Sequence, residues 1–157
     1  MLKTSALLVI FMMLLMAENV HAQVFTGGSV GVNYDRGLYI DAAPVAGYRM
    51  GIVDLGVSPF FSYRDHRDRD SRYSYGGRLF TQVSPVPGVF GHAEFEMTNI
   101  EHGDDRKWIT GFPVGAGYRY TLGDNTEAHA MILYDVLLDD DSPVRNPIVR
   151  GGVTYRF

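Results

Sequence analysis

The chain has 157 residues, with 14 basic and 18 acidic side chains, a formal net charge of −4 at pH 7 and no cysteine. The acidic balance argues against a nucleic-acid-binding protein, which normally carries a basic patch, and the lack of cysteine excludes disulfide bonds as a source of stability. Stability must therefore come from a core, a membrane or a ligand.

The first 22 residues have the three parts of a secretory signal peptide. Lys3 provides a short positive region, residues 6–16 form an apolar run of eleven residues, and Val20-His21-Ala22 closes the segment. The run is about half as long as the roughly 20 residues that a membrane-spanning helix needs, so we predict cleavage after Ala22 rather than an N-terminal anchor. The segment contains one lysine and one glutamate, and residues 23–157 therefore keep the net charge of −4.

The rest of the chain has no apolar run of about 18 residues, so it predicts no transmembrane helix. Membrane insertion would then require a closed barrel. Clusters of Gly, Pro, Asn and Asp divide residues 23–157 into eight segments, an even number as a bacterial barrel requires, each of barrel-strand length. The predicted strands are residues 24–34, 38–50, 52–64, 73–84, 88–100, 107–121, 127–138 and 147–157.

Apolar and polar side chains alternate along these segments, which gives each strand one apolar and one polar face. In the second segment, for example, Leu38 and Ile40 oppose Asp41. A near-balanced set of charges collects on the polar face, and ion pairs inside a narrow lumen could neutralise it. This predicted lumen ion-pair network comprises Asp41, Arg49, Asp54, Arg64, Arg78, Glu94, Glu96, Arg119, Asp135, Arg150 and Arg156.

Alternation alone does not distinguish a membrane barrel from a soluble lipocalin-like barrel, which turns its apolar face inward. Three features favour the membrane barrel. Aromatic residues gather near strand ends on the apolar face, as at a membrane interface. The polar face carries arginine and small residues but no lysine, which suits a crowded interior. Short turns alternate with long charged loops, predicted at residues 65–72, 101–106 and 139–146.

Together these features resemble the small eight-stranded outer-membrane proteins of the OmpA/OmpX type, and the strand motifs look like those of barrel proteins from Bacteroidetes-like bacteria. The resemblance covers residues 24–157 and rests on Ala46-Gly47-Tyr48-Arg49, on residues 115–120 and on residues 151–157. It implies an all-β, up-and-down transmembrane barrel in the cell outer membrane, spanning residues 23–157 after a cleaved signal peptide. In that family the barrel-assembly machinery recognises a terminal aromatic strand, a role that the resemblance assigns to Val153, Tyr155 and Phe157.

The sequence predicts no catalytic residue, no cofactor and no metal site. His66 lies beside Ser62 and Ser71, with Asp65 and Asp68 nearby, but a charged loop explains these residues better than a Ser–His–acid set. Aspartates at 104–105 and 139–141 offer oxygen ligands without the spacing of an EF-hand. Glu94 and Glu96 share one face, where arginines are expected to pair with them rather than leave them as catalytic carboxylates.

The leading hypothesis is a non-enzymatic outer-membrane barrel with a structural, adhesive or protective role at the cell surface, exerted through its charged loops. The expected partners are outer-membrane lipid, lipopolysaccharide and, during biogenesis, the barrel-assembly machinery; the surface partner is not identified. Bulky inward residues such as Tyr39 and Phe60 argue against a general porin. Conduction through a narrow, gated ion path is kept as an alternative. The alternatives are an outer-membrane lipid-modifying enzyme and a soluble periplasmic lipocalin-like binder.

Overall fold

Nine antiparallel β-strands form the part of the chain that the computed structural model describes, residues 22–34, 37–66, 69–102 and 105–157. The predicted signal peptide lies outside these residues, apart from Ala22. Within them, no helix is both long and apolar enough to cross a membrane. The strands are β1 (Gln23–Tyr34), β2 (Leu38–Met50), β3 (Val53–His66), β4 (Arg69–Val86), β5 (Val89–His102), β6 (Asp105–Gly111), β7 (Pro113–Thr121), β8 (Thr126–Asp135) and β9 (Ile148–Arg156).

The sheet closes on itself, because β1 pairs with both β2 and β9 while β4 pairs with β5. β6 and β7 both pair with β5 and are two halves of one wall strand, interrupted at Phe112. The interruption falls where Pro113 lacks a backbone N–H to donate. The wall therefore has eight strands, and the predicted eight-stranded antiparallel up-and-down barrel is confirmed.

The two ends of the barrel differ in their connections. Tight turns join β2 to β3 and β4 to β5, with Gly51 and Gly88 at φ of 60° and 82°, a backbone region that glycine adopts without strain. Residues 122–125 join β7 to β8 at the same end, here termed the turn end. The opposite end, here termed the hairpin end, carries the connections of β3 with β4, β5 with β6, and β8 with β9.

In two of the three segments predicted as long charged loops, the described residues are strand instead. β3 and β4 pair as far as His66 and Arg69, and β5 and β6 as far as His102 and Asp105. Charged residues are depleted in strands, which is why the sequence indicated loops. Pairing nevertheless gives the backbone groups that face the neighbouring strand their hydrogen-bond partners, and residues 67–68 and 103–104 lie outside the described residues.

The third predicted loop is longer than expected, because the chain leaves the sheet after Asp135 rather than after residue 138. Residues 136–147, here termed the cap loop, fold over the hairpin end and bury Val144 beside Tyr39. Asn33 Nδ2 anchors this loop by donating to the carbonyl oxygens of Arg145 and Pro147, at 2.6 and 2.7 Å.

The inner and outer faces have the opposite polarity to those of a soluble barrel with an apolar cavity. Charged side chains such as Asp41 and Glu94 point inward and are 1% and 2% exposed. Apolar side chains such as Leu79 point outward, where Leu79 is 61% exposed. The structure thus places side chains on the faces that the alternation predicts, and the arrangement expected of a lipocalin-like barrel is not observed.

Candidate functional site

Arg78, on β4, lies inside the lumen and binds carboxylates from two other strands. Its Nη1 donates to Asp41 Oδ1 on β2 at 2.9 Å, and its Nε donates to Glu96 Oε2 on β5 at 2.6 Å. The guanidinium also lies 3.9 Å from the centre of the Phe60 ring. A buried charge is tolerated only when it is paired, so these contacts tie β2, β4 and β5 together across the lumen.

A hydrogen-bonded chain runs from the carboxylate of Glu94 to Arg119. Arg150 Nη1 donates to both Glu94 oxygens at 2.8 Å, and His92 Nε2 lies 2.8 Å from Glu94 Oε2. Arg119 Nη2 donates to Gln82 Oε1 at 2.6 Å, which leaves Gln82 Nε2 to donate to His92 Nδ1 at 3.0 Å. With this orientation of the Gln82 amide, His92 accepts at Nδ1 and donates from Nε2 to Glu94.

A second cluster lies near the turn end. Arg49 binds Asp54 through two parallel hydrogen bonds, Nε to Oδ1 at 2.7 Å and Nη2 to Oδ2 at 3.0 Å, a strong bidentate arrangement. Arg119 Nη2 also donates to Asp54 Oδ2, at 2.8 Å. Glu127 accepts from Arg49 Nη2 at 3.1 Å and lies 3.5 Å from Arg156 Nη2. Three arginines thus surround two carboxylates.

The structure brings most of the predicted lumen network into ion pairs. The paired members are Asp41, Arg49, Asp54, Arg78, Glu94, Glu96, Arg119, Arg150 and Arg156. Arg64 lies on the inner face at the hairpin end of β3, opposite Arg72. Asp135 instead accepts hydrogen bonds from the backbone N–H groups of Phe112 and Leu137, at 2.8 and 3.0 Å, because the wall is interrupted there.

Sequence analysis missed Glu127, which joins the cluster at the turn end. Glu127 is separated from His129 and Asp135 by an even number of residues, which places all three on the same face of a strand. The alternation could therefore have identified it. Val153, Tyr155 and Phe157, assigned to barrel assembly, all face outward. Their recognition by assembly machinery stays a prediction.

Side chains fill the lumen between the two clusters. A small, partly open cavity there has a volume of about 30 Å³, enough to hold water, and Ser58, Arg78, Glu94 and Arg150 contribute to its lining. The buried rings of Phe60, Phe80 and Phe90 occupy further lumen space. A solute larger than water therefore has no room in this cavity.

The described side chains contain no Ser–His–acid set. His92 is bound to Gln82 and Glu94, and His129 packs edge-on against Phe90 with 6.4 Å between ring centres. The side chain of His66 lies outside the described residues. No group of three or more His, Asp or Glu among the described residues is placed to hold a metal ion.

Outward-facing aromatic rings gather at the hairpin end and form an aromatic patch. Rings of the patch stack on or tilt against one another, or meet edge to face, with centres 5.3 to 6.0 Å apart. Arg106 lies beside the patch, 5.0 Å from the centre of the Tyr75 ring. Its Nε donates to Asn99 Oδ1 at 2.5 Å and its Nη2 to the Tyr73 carbonyl at 3.3 Å. The patch comprises Phe61, Tyr63, Tyr73, Tyr75 and Trp108.

No protein-family model matches the chain, and no curated protein matches it in sequence. Among solved structures, the N-terminal β-barrel domain of Pseudomonas aeruginosa OprF is similar, with a TM-score of 0.58 and 18% identity over 85% of this chain and 97% of that one. Neisserial surface protein A is similar with a TM-score of 0.51 and 15% identity over 87% of this chain and 97% of that one. The Bacteroidetes part of the predicted resemblance stays a prediction. The chain has the fold of the small eight-stranded outer-membrane barrels.

Proposed function

We propose that this protein is a non-enzymatic barrel of the cell outer membrane, with a structural, adhesive or protective role exerted through its hairpin end. The inverted polarity of the barrel carries the proposal. A continuous apolar outer face is unfavourable in water but suits lipid, where a charge at mid-bilayer would cost about 2 to 4 kcal/mol. The charged inner face is shielded from lipid and neutralised by ion pairs.

The unequal ends of the barrel support one orientation. Outer-membrane barrels keep short turns on the periplasmic side and their longer extensions outside. The long cap loop and the extended β3–β4 and β5–β6 hairpins lie at the hairpin end, so the turn end belongs in the periplasm and the hairpin end outside. The aromatic patch agrees, since aromatic rings concentrate at membrane interfaces. The last pair between β7 and β8 joins Pro113 to Asp135, whereas β6 continues for seven further residues, roughly 20 Å of strand. The β5–β6 hairpin therefore extends beyond the β8 wall.

The packed lumen favours a role at the surface over transport. Two ion-paired clusters and buried aromatic rings fill the interior, and the cap loop covers the hairpin end with Val144 inside. By contrast, Arg72, Glu101 and Asp105 on the two hairpins are exposed. The side chains available to a partner thus lie outside the barrel.

Fractionation combined with protease accessibility tests this proposal. A protease site inserted at residues 67–68 should be cut in intact cells, whereas the same site inserted at Gly123 should be cut only after the outer membrane is permeabilised. Both proteins should be recovered from outer membranes and should migrate differently on gels before and after heating. Recovery in the soluble periplasm, or equal cleavage at both sites in intact cells, would overturn the proposal.

The absence of catalysis needs its own test. Outer-membrane lipid from cells that express the protein should match lipid from cells that lack it in acyl-chain content. A change in acyl chains that disappears on substitution of His66 would instead support the lipid-modifying enzyme. The control is a Lys107→Gln variant, which alters the same end of the barrel without removing a histidine.

A further inference from the structure

We infer that Arg106 and the aromatic patch form a docking surface for a phosphorylated lipid headgroup. The inference rests on the proposed function, in which the hairpin end faces the outside of the cell. It goes beyond a general affinity for lipid, because it assigns the contact to one sector of the barrel wall, β3 to β6, and to one chemical group of the lipid.

Arg106 is held in place before any ligand arrives. Asn99, the Tyr73 carbonyl and the Tyr75 ring fix its guanidinium from three directions. A fixed arginine has already lost much of the rotamer entropy that binding would otherwise cost. Its Nη1 makes no hydrogen bond to the described residues, so those donors are available to an external acceptor.

The charge around Arg106 depends on Glu101, since Arg72 is the cross-strand partner of Arg64 and lies with it on the other face of the sheet. Arg72 Nη1 donates to the backbone carbonyl of Glu101 at 3.2 Å, and Glu101 is the cross-strand partner of Arg106. The Glu101 carboxylate is exposed there and forms no ion pair with either arginine among the described contacts. Because this carboxylate does not form an ion pair with Arg106, the guanidinium keeps its charge for an external anion, while the nearby carboxylate weakens that attraction. Guanidinium matches phosphate geometry through paired hydrogen bonds.

The apolar part of the surface matches the rest of a lipid. Tyr73 and Trp108 are each 53% exposed on the outward face, so their rings are open to acyl chains. Arg106 lies two residues nearer the hairpin tip than Trp108, about 7 Å along the strand. The rings therefore lie where the acyl chains of a lipid would be, and the cation lies where its phosphate would be. Lys107 is not part of this surface, since it donates to Asp141 of the cap loop at 2.8 Å.

Trp108 makes the surface directly observable, because it is the only tryptophan in the chain. The full chain, folded into phosphatidylcholine vesicles, is mixed with a small fraction of bisphosphorylated lipid A that carries an energy-transfer acceptor. The matched probe is the same labelled lipid without its phosphates. We expect energy transfer from Trp108 to be severalfold greater with the phosphorylated probe.

Substitutions assign the effect to Arg106. Arg106→Gln should weaken the apparent affinity for the phosphorylated probe about tenfold, the loss expected when one charge-assisted contact is removed. The affinity of Arg106→Lys should lie between those of the original chain and of Arg106→Gln. Glu101→Gln should bind the phosphorylated probe more tightly than the original chain. The control is Arg145→Gln, which removes a positive charge from the cap loop at the same end and should leave the affinity unchanged.

Four outcomes would overturn the inference: equal transfer to both probes, equal losses in the Arg106 and Arg145 variants, strong competition by millimolar inorganic phosphate, or a Glu101→Gln variant that binds more weakly. Heat-modifiable migration of each variant shows whether it has inserted and folded. A barrel that inserts but binds both probes equally contradicts only the proposed docking surface. A chain that does not insert contradicts the proposed function.

Discussion

On β4, Gly76 and Arg78 face the lumen, whereas Gly77 and Leu79 face outward. The outer positions share one requirement, an apolar surface, and tolerate side chains of any size. The inner positions depend on particular partners, since Arg78 needs Asp41 and Glu96, and Gly76 leaves room for a ring. Adjacent residues therefore meet different requirements. An outward residue must suit the surrounding solvent, whereas an inward residue must fit the particular side chains that it contacts.

Removing Arg78 from the inner face should lower the free energy of unfolding more than any other change considered. Arg78→Ala leaves Asp41 and Glu96 without their shared cation, and loss of one partner of a buried ion pair costs about 3 to 5 kcal/mol. Unfolding in urea from lipid vesicles measures the change. Arg72→Ala, an exposed arginine on the same strand, is the control and should change the free energy of unfolding by no more than about 0.5 kcal/mol. Equal effects would contradict the role of the lumen ion pairs.

A charge at Leu79, on the outer face, should also destabilise the barrel. Leu79→Arg should cost about 2 to 4 kcal/mol of unfolding free energy if this residue lies at mid-bilayer, and the same vesicle experiment measures it. Val86→Arg, at the turn end of the strand, should cost only about 0 to 1 kcal/mol. A Leu79→Arg variant as stable as the original chain would show that this face does not meet lipid.

Two neighbouring glycines sharpen the contrast without any charge. A Cβ at Gly76 would lie 2.1 Å from the Met97 carbonyl oxygen and 2.8 Å from the Phe60 ring, whereas a Cβ at Gly77 meets nothing within 4 Å. Gly76→Ala should therefore destabilise the barrel by about 1 to 3 kcal/mol, and Gly77→Ala should be nearly neutral. Midpoints of urea unfolding compare the two variants. Equal midpoints would contradict close packing at the inner face.

The smallest expected effect concerns the tether of the cap loop. The hydrogen bond to Asp141 raises the pKa of Lys107, so the tether is intact below the ordinary lysine pKa of 10.5 and is lost as the pH rises through the higher folded-state value. Cleavage of the cap loop by protease should accelerate only in that alkaline range. A Lys107→Gln variant should be cleaved at a rate that does not show this rise; a rise of the same size in both proteins would contradict the tether.

The alternation along single strands was enough to predict which way Arg78 and Leu79 face, because a period of two residues is a local property. It could not predict that Arg78 reaches Asp41, 37 residues away and two strands across. That contact depends on the register of β2, β3 and β4 and on the curvature of the closed wall, which are non-local.

Local composition also misled where tertiary structure prevailed. The charged residues 65–72 and 101–106 indicated loops, yet hairpin pairing makes most of them strand. Val144 gave no periodic signal, since it follows no strand pattern, and its burial depends on the cap loop folding over the barrel. Glu127 was missed at the first residue of a predicted strand, although its parity was informative.

Spin labelling tests the lipid-facing surface most directly, and the lack of native cysteine makes it straightforward. A label on Leu79→Cys in native membranes should relax strongly with oxygen, which partitions into lipid, and weakly with a water-soluble nickel complex. A label on Gly123→Cys, in the turn between β7 and β8, should show the reverse. Equal access of the nickel complex to both labels would contradict a barrel that spans the membrane with its apolar face in lipid.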